Sequence, residues 1–167
     1  GMSMDREKFG ETIDSLLFNQ ELPFPLPYNQ TKVLLDKDST DEDVIQTSIG
    51  QGKTQITPVQ LNLITAAIAN GGKLMQPIVV DRVLNADGKI LEKNEPSVYR
   101  ELMSEKEAEV MTSLMEDVVQ EGTGRKLKER SYTAAGKTGS AEFSSDKSES
   151  HAWFTGFAPA EDPEIAV

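Results

Sequence analysis

Two extended runs joined by a polar heptad set the strongest limit on what this chain can fold into. Tyr132 to Phe143 reads Tyr-Thr-Ala-Ala-Gly-Lys-Thr-Gly-Ser-Ala-Glu-Phe, Ser144 to Ser150 is polar throughout, and His151 to Ala158 reads His-Ala-Trp-Phe-Thr-Gly-Phe-Ala. Small, β-branched and aromatic residues on either side of a polar connection predict an antiparallel hairpin. The first strand carries Lys137, Thr138, Gly139 and Ser140. Such a strand makes a docking edge for a ligand carboxylate and carbonyl. Lysine supplies charge, threonine a donor, and glycine lets a ligand backbone come close. Lys-Thr-Gly is a short match, and its position on a strand gives it weight. Lys137 also has a plainer reading, as an edge lysine that discourages aggregation.

The rest of the pattern supplies helices to cover that hairpin. Phe9, Ile13, Leu16 and Leu17 have helical spacing within Asp5 to Phe18. Pro23, Pro25 and Pro27 then force an irregular extended connection, and Asp36 to Asp43 is acidic and turn-rich. Thr57-Pro58 is a helix start, a capping hydroxyl followed by proline at the first helical position. Leu61, Ile64, Ala67 and Ile68 form the expected buried stripe, ended by Gly71-Gly72. Pro77 to Leu84 is strand-like, and Asn85 to Gly88 turns it back through Lys89 to Leu91. Ser104 with Glu107 is a capping box opening a second strong helix, with Val110, Met111, Leu114, Met115 and Val118 expected to face inward and Gly122 to close it. The predicted fold class is α+β, helices packed on an antiparallel sheet.

The 167 residues suffice for one domain with a real core. Acidic residues number 28 against 17 basic, a net charge of −11, which argues against nucleic acid or anionic lipid as the main partner. Cysteine is absent, which excludes disulfides, zinc-thiolate sites and thiol catalysis. No apolar run approaches the roughly 18 residues of a membrane span. Gly1 before Met2 reads as a scar of tag removal, and Pro163 to Val167 opens a new apolar run where a strand would begin. The second end suggests a piece cut from a longer protein, a single partial domain over residues 1–167.

Several local motifs invite stronger readings. Thr47-Ser-Ile-Gly-Gln-Gly-Lys-Thr54 resembles the end of a phosphate-binding loop, but Thr47 stands where that motif needs glycine and Thr57-Pro58 delays the helix. A structural loop entering a helix is the expectation. Ser144-Ser-Asp-Lys147 has the Ser-x-x-Lys spacing, yet it lies in a polar connection with no apolar face to lower the lysine's pKa, so a solvated loop is expected. His151 is the only histidine; a histidine metal cluster is impossible, and a surface or rim residue is expected over a catalytic one. Trp153, Phe154 and Phe157 read as core packing.

Four ordered segments together resemble the transpeptidase domain of penicillin-binding proteins. They are Thr47 to Gly52 with Thr57-Pro-Val-Gln-Leu61; Ala66-Ala-Ile-Ala-Asn-Gly-Gly72; Val118-Val-Gln-Glu-Gly-Thr-Gly124 with Ala135-Gly-Lys-Thr-Gly-Ser-Ala141; and Ala152-Trp-Phe-Thr-Gly-Phe-Ala-Pro159. Of that family's Ser-x-x-Lys, Ser-x-Asn and Lys-Thr-Gly elements, the third alone is present in context, and Ser-x-Asn occurs nowhere. In the family both precede the region that matches, so the resemblance implies that the nucleophile-bearing part and the final strand and helix lie outside this chain.

The resemblance implies a peptidoglycan D,D-transpeptidase, cross-linking stem peptides that end in D-Ala-D-Ala through a serine acyl-enzyme, with β-lactams as mimics of the dipeptide. A β-lactam-sensing receptor domain and a serine β-lactamase are its alternatives. It implies Lys137 as the catalytic cation, Thr138 and the Ser140 hydroxyl as donors to the substrate carboxylate, and the Ser140 backbone N–H as an oxyanion donor. Gly139 would keep the edge clear and Glu142 would line the groove. No metal or cofactor is implied, and the parent would be membrane-anchored and work on the extracytoplasmic face. The isolated chain is expected not to acylate.

Overall fold

The computed structural model describes residues 5–35, 38–142 and 150–167. Among them are helices α1 (Arg6–Ser15), α2 (Asp41–Ser48), α3 (Pro58–Ala69) and α4 (Glu105–Gln120), and strands β1 (Lys73–Met75), β2 (Arg82–Leu84), β3 (Ile90–Lys93), β4 (Val98–Glu101), β5 (Ala135–Glu142), β6 (Ser150–Ala158) and β7 (Ile165–Ala166). The fold class is α+β, with α3 and α4 packed on the antiparallel sheet β5-β6-β7. Two further antiparallel ribbons are β1 with β4 and β2 with β3.

Helix α3 begins where its cap dictates: the Thr57 hydroxyl accepts from Gln60 N–H at 3.3 Å, and Pro58 fills the first helical position. Its sides serve two cores. Ala67 packs with Leu17, Leu22, Leu74 and Leu102, while Ile68 packs with Met115 of α4, Ala135 of β5, Phe157 of β6 and Ala160. Buried Gln60 donates to the Leu16 carbonyl at 3.0 Å, tying α3 to the end of α1. Gly72 closes α3 with φ +88°, and a Cβ there would lie 2.0 Å from the Met103 carbonyl oxygen, so no other residue fits that turn.

Local signals placed several elements and missed others. Helices α1, α3 and α4 and the hairpin of β5 and β6 lie where the sequence predicts them. The acidic stretch expected as turns instead ends in α2, whose Thr40 and Asp43 form a reciprocal capping box. The strand expected over Pro77 to Leu84 shrinks to Arg82–Leu84, and the β1–β4 ribbon was not foreseen. Helix α4 turns a rotated face inward: Met115 is buried as expected, together with Ala108 and Val119, whereas Val110 and Leu114 are each 54% exposed. The helix carries two apolar lines, and the one led by the small Ala108 allows the closer approach to its neighbours. The Ser-x-x-Lys stretch Ser144 to Lys147 lies outside the described residues.

The α4 cap also sets a pH dependence. Ser104 Oγ donates to Glu107 Oε2 at 2.6 Å, Ser104 N–H donates to the same oxygen at 2.8 Å, and Ser104 Oγ accepts from Glu107 N–H. The hydroxyl first, then the backbone amide, hold the Glu107 carboxyl below the usual glutamate range. A depressed carboxylate pKa adds stability above its unfolded value, and that stability is lost as pH falls through the folded value. Ser104→Ala should therefore lower the melting temperature at neutral pH and flatten its fall toward acid, read by thermal melts across a pH series. A melting curve unchanged at both ends would contradict this role.

Candidate active site

Strand β5 is an edge strand among the described residues, paired on one side by β6. The hydrogen bonds of β6 fix which groups β5 offers on its other side. Gly156 donates its N–H to Val167 and accepts from Val167 N–H, at 3.0 and 2.9 Å, so both its polar groups face β7. Backbone groups alternate along an antiparallel strand, so Phe154 and Ala152 face the same way. Their partners in β5 are Gly136 opposite Gly156, Thr138 opposite Phe154 and Ser140 opposite Ala152. Those three residues therefore turn their N–H and C=O groups away from β6, toward the free edge.

Side chains sort by the same alternation. Thr155 Oγ1 meets Thr65 Oγ1 of α3 at 2.6 Å, so the face of Thr155 and its cross-strand partner Lys137 looks toward α3. Lys137, Gly139, Ala141 and Trp153 share that face, and with Ile49, Gly50, Ile56 and Leu61 they border a groove of about 480 Å³. Thr138 and Ser140 also border it, from the strand's edge. The groove thus combines an apolar floor with one cation and a row of backbone donors and acceptors, the composition of a site for a short peptide-like anion.

Two edge carbonyls are held by side-chain donors. Lys137 Nζ donates to the Thr138 carbonyl at 2.5 Å, and Gln51 Nε2 donates to the Ser140 carbonyl at 3.0 Å. The Thr138 hydroxyl meets that of Thr123 at 2.5 Å. Gly122-Thr123-Gly124 reaches it by wrapping the last turn of α4, with Gly124 N–H donating to the Val118 carbonyl at 2.9 Å.

The structure brings Lys137, Thr138, Gly139 and Ser140 together on the groove. Glu142, also expected there, is the exposed last residue of β5 and lies beyond the groove's border. His151 is exposed near the start of β6 and does not border the groove, a surface position. Of the three aromatics expected in the core, Phe157 is buried, Trp153 borders the groove, and Phe154 is 41% exposed over Gly136 and Gly156. Sequence reasoning missed Gln51 and Thr123. Both had a legible signal: each is a polar residue flanked by two glycines, Gly50-Gln51-Gly52 and Gly122-Thr123-Gly124. In the segment that resembles a phosphate loop, Lys53 pairs with Asp43 at 3.2 Å, in keeping with the structural loop expected there.

An edge strand that presents lysine, two hydroxyls and a backbone edge paired with no other strand to a groove can take an anionic peptide-like ligand by strand addition. The chain belongs to the penicillin-binding protein transpeptidase domain family, which matches residues 2–167. It is 30% identical, over its whole length, to 27% of stage V sporulation protein D of Bacillus subtilis. Its fold matches the D,D-transpeptidase domain of a peptidoglycan glycosyltransferase from Eggerthella lenta with a TM-score of 0.86 at 30% identity, over 99% of this chain and 43% of that one. Penicillin-binding protein A of M. tuberculosis, seen as its imipenem acyl-enzyme, matches with a TM-score of 0.82 at 28% identity, over 93% of this chain and 35% of that one. The same protein as its penicillin G acyl-enzyme gives 0.80 at 29%, over 93% and 34%. The chain spans 20–27% of the length of the first curated relatives it matches.

Proposed function

We propose that this chain is the Lys-Thr-Gly part of a peptidoglycan D,D-transpeptidase domain, and that the free edge of β5 holds a D-Ala-D-Ala stem while a serine elsewhere in the domain is acylated. The observation that carries this reading is the outward N–H and C=O of Ser140 beside Lys137 on one groove. The serine Oγ attacks the penultimate D-Ala carbonyl carbon, and the terminal D-Ala leaves as an amine after gaining a proton. An amine of a neighbouring stem then displaces the serine, restoring its proton. Penicillin follows the first step with its ring amide as the broken bond.

Each residue has a physical task in that scheme. The Lys137 ammonium sets a positive potential for the terminal carboxylate and for the proton path. The Thr138 and Ser140 hydroxyls donate to that carboxylate, charge-assisted bonds stronger than neutral ones. Thr123 fixes the Thr138 hydroxyl. The Ser140 N–H stabilises the oxyanion, a contribution of about 3–4 kcal/mol to the transition state. Gly139 leaves the approach open.

The remainder of the domain, with Ser-x-x-Lys and Ser-x-Asn, belongs to the longer parent, which we place on the extracytoplasmic face with a membrane anchor. Supporting this are apolar faces that a whole domain would cover: Val110 and Met111 border a groove of about 630 Å³ between α1, α3 and α4, and Phe154 and Ile165 border one of about 540 Å³ on the far face of the sheet. Labelling with a fluorescent penicillin tests the scheme. The full-length protein should label covalently and this chain alone should not. Covalent labelling of the isolated chain would show that the reacting nucleophile is already within it.

A further inference from the structure

Gln51 sits on the acceptor that a strand-like ligand needs. A ligand residue pairing with Ser140 across the β5 edge exchanges two hydrogen bonds with it: its carbonyl oxygen accepts from Ser140 N–H, and its own N–H donates to Ser140 C=O. The second of these acceptors is held by Gln51 Nε2 at 3.0 Å. Gln51 lies outside the helices and strands, between α2 and α3, flanked by Gly50 and Gly52 at φ +75° and +72°. Its long side chain is half-buried and belongs to neither flanking helix.

We propose that Gln51 is a specificity-determining residue whose carboxamide stands in for the ligand's amide N–H and yields when such a ligand pairs with Ser140. This inference rests on the transpeptidase reading of the β5 edge. The Ser140 carbonyl faces the free edge from which a pairing strand's N–H must approach, and the carboxamide already donates to it there, so the two donors compete. Ligands that carry an N–H on the carbon beside the reacting carbonyl must displace Gln51. Ligands without one leave it in place and still use Ser140 N–H. The natural stem peptide is of the first kind, as is penicillin G with its acylamino group. Imipenem, with a hydroxyethyl group at that carbon, is of the second.

The test measures second-order acylation rates of the full-length protein by penicillin G and by imipenem, in wild type, Gln51→Ala and Gln51→Leu. Leucine keeps the bulk of the side chain without its donor, and so separates the contact from packing. Removing one competing hydrogen bond of ordinary strength should raise the penicillin G rate by about threefold to tenfold in both variants while the imipenem rate holds. Equal changes for the two ligands, an unchanged or lower penicillin G rate, or opposite changes in the two variants would overturn the proposal. Should neither ligand acylate the wild type, the transpeptidase reading falls, and this inference with it.

Discussion

Lys137→Ala in the full-length protein is expected to slow acylation by a labelled penicillin by about a hundredfold or more, the usual scale for losing a group that positions charge and assists proton transfer. Stability should hardly move. The Lys137 side chain is exposed, and its ammonium donates to the carbonyl of the next residue, so no distant element depends on it. Lys137→Arg should recover part of the rate, because charge returns but the compact three-donor ammonium does not. Wild-type acylation by the alanine variant would remove Lys137 from the chemistry. A large drop in melting temperature at unchanged acylation would leave the edge-protecting role as its whole purpose.

Three glycines of the hairpin should divide cleanly between fold and function. A Cβ on Gly136 would lie 2.6 Å from Phe154 Cζ, and one on Gly156 would lie 2.5 Å from the Ala135 carbonyl oxygen. Gly156→Ala must push a paired strand aside and should cost about 1–3 kcal/mol, as overpacking does. Gly136→Ala should cost less, because a ring can shift where a backbone cannot. At Gly139 a Cβ would meet Trp153 Cβ at 3.5 Å, an ordinary contact. The fold therefore does not require glycine there, which fits the ligand access proposed for it. Gly139→Ala should melt like the wild type and acylate at least tenfold more slowly, on the order of one lost close contact and its misalignment. Denaturant melts and labelling rates on the same preparations read both quantities. A destabilised Gly139→Ala with normal labelling would reverse the assignment.

What the sequence disclosed follows how local each interaction is. The caps at Thr57 and Ser104 involve residues within one turn, and they placed α3 and α4. The β5–β6 hairpin pairs neighbours in the chain, and its strand character was legible in Val-free, small and aromatic runs. Helix α2 was missed although Thr40 and Asp43 form the same kind of box as Ser104 and Glu107, because a short acidic run between two turn-like segments shows little periodicity. The inward face of α4 depends on what packs against it, and no pattern within one helix settles that. The contact of Gln51 with Ser140 joins residues 89 apart in the chain. No spacing rule spans such a distance, and only the ordered family segments hinted that this loop and strand β5 belong to one site.

In the proposed mechanism, Ser140 pairs with the reacting residue of the ligand across the free edge of β5. A crystal structure of the full-length protein acylated by penicillin G tests it directly. The account predicts the acyl carbonyl oxygen about 2.7–3.1 Å from Ser140 N, the ligand carboxylate against Lys137 and Thr138, and the acylamino N–H on the Ser140 carbonyl. An acyl group whose oxygen points away from β5, toward donors on another element, would contradict it.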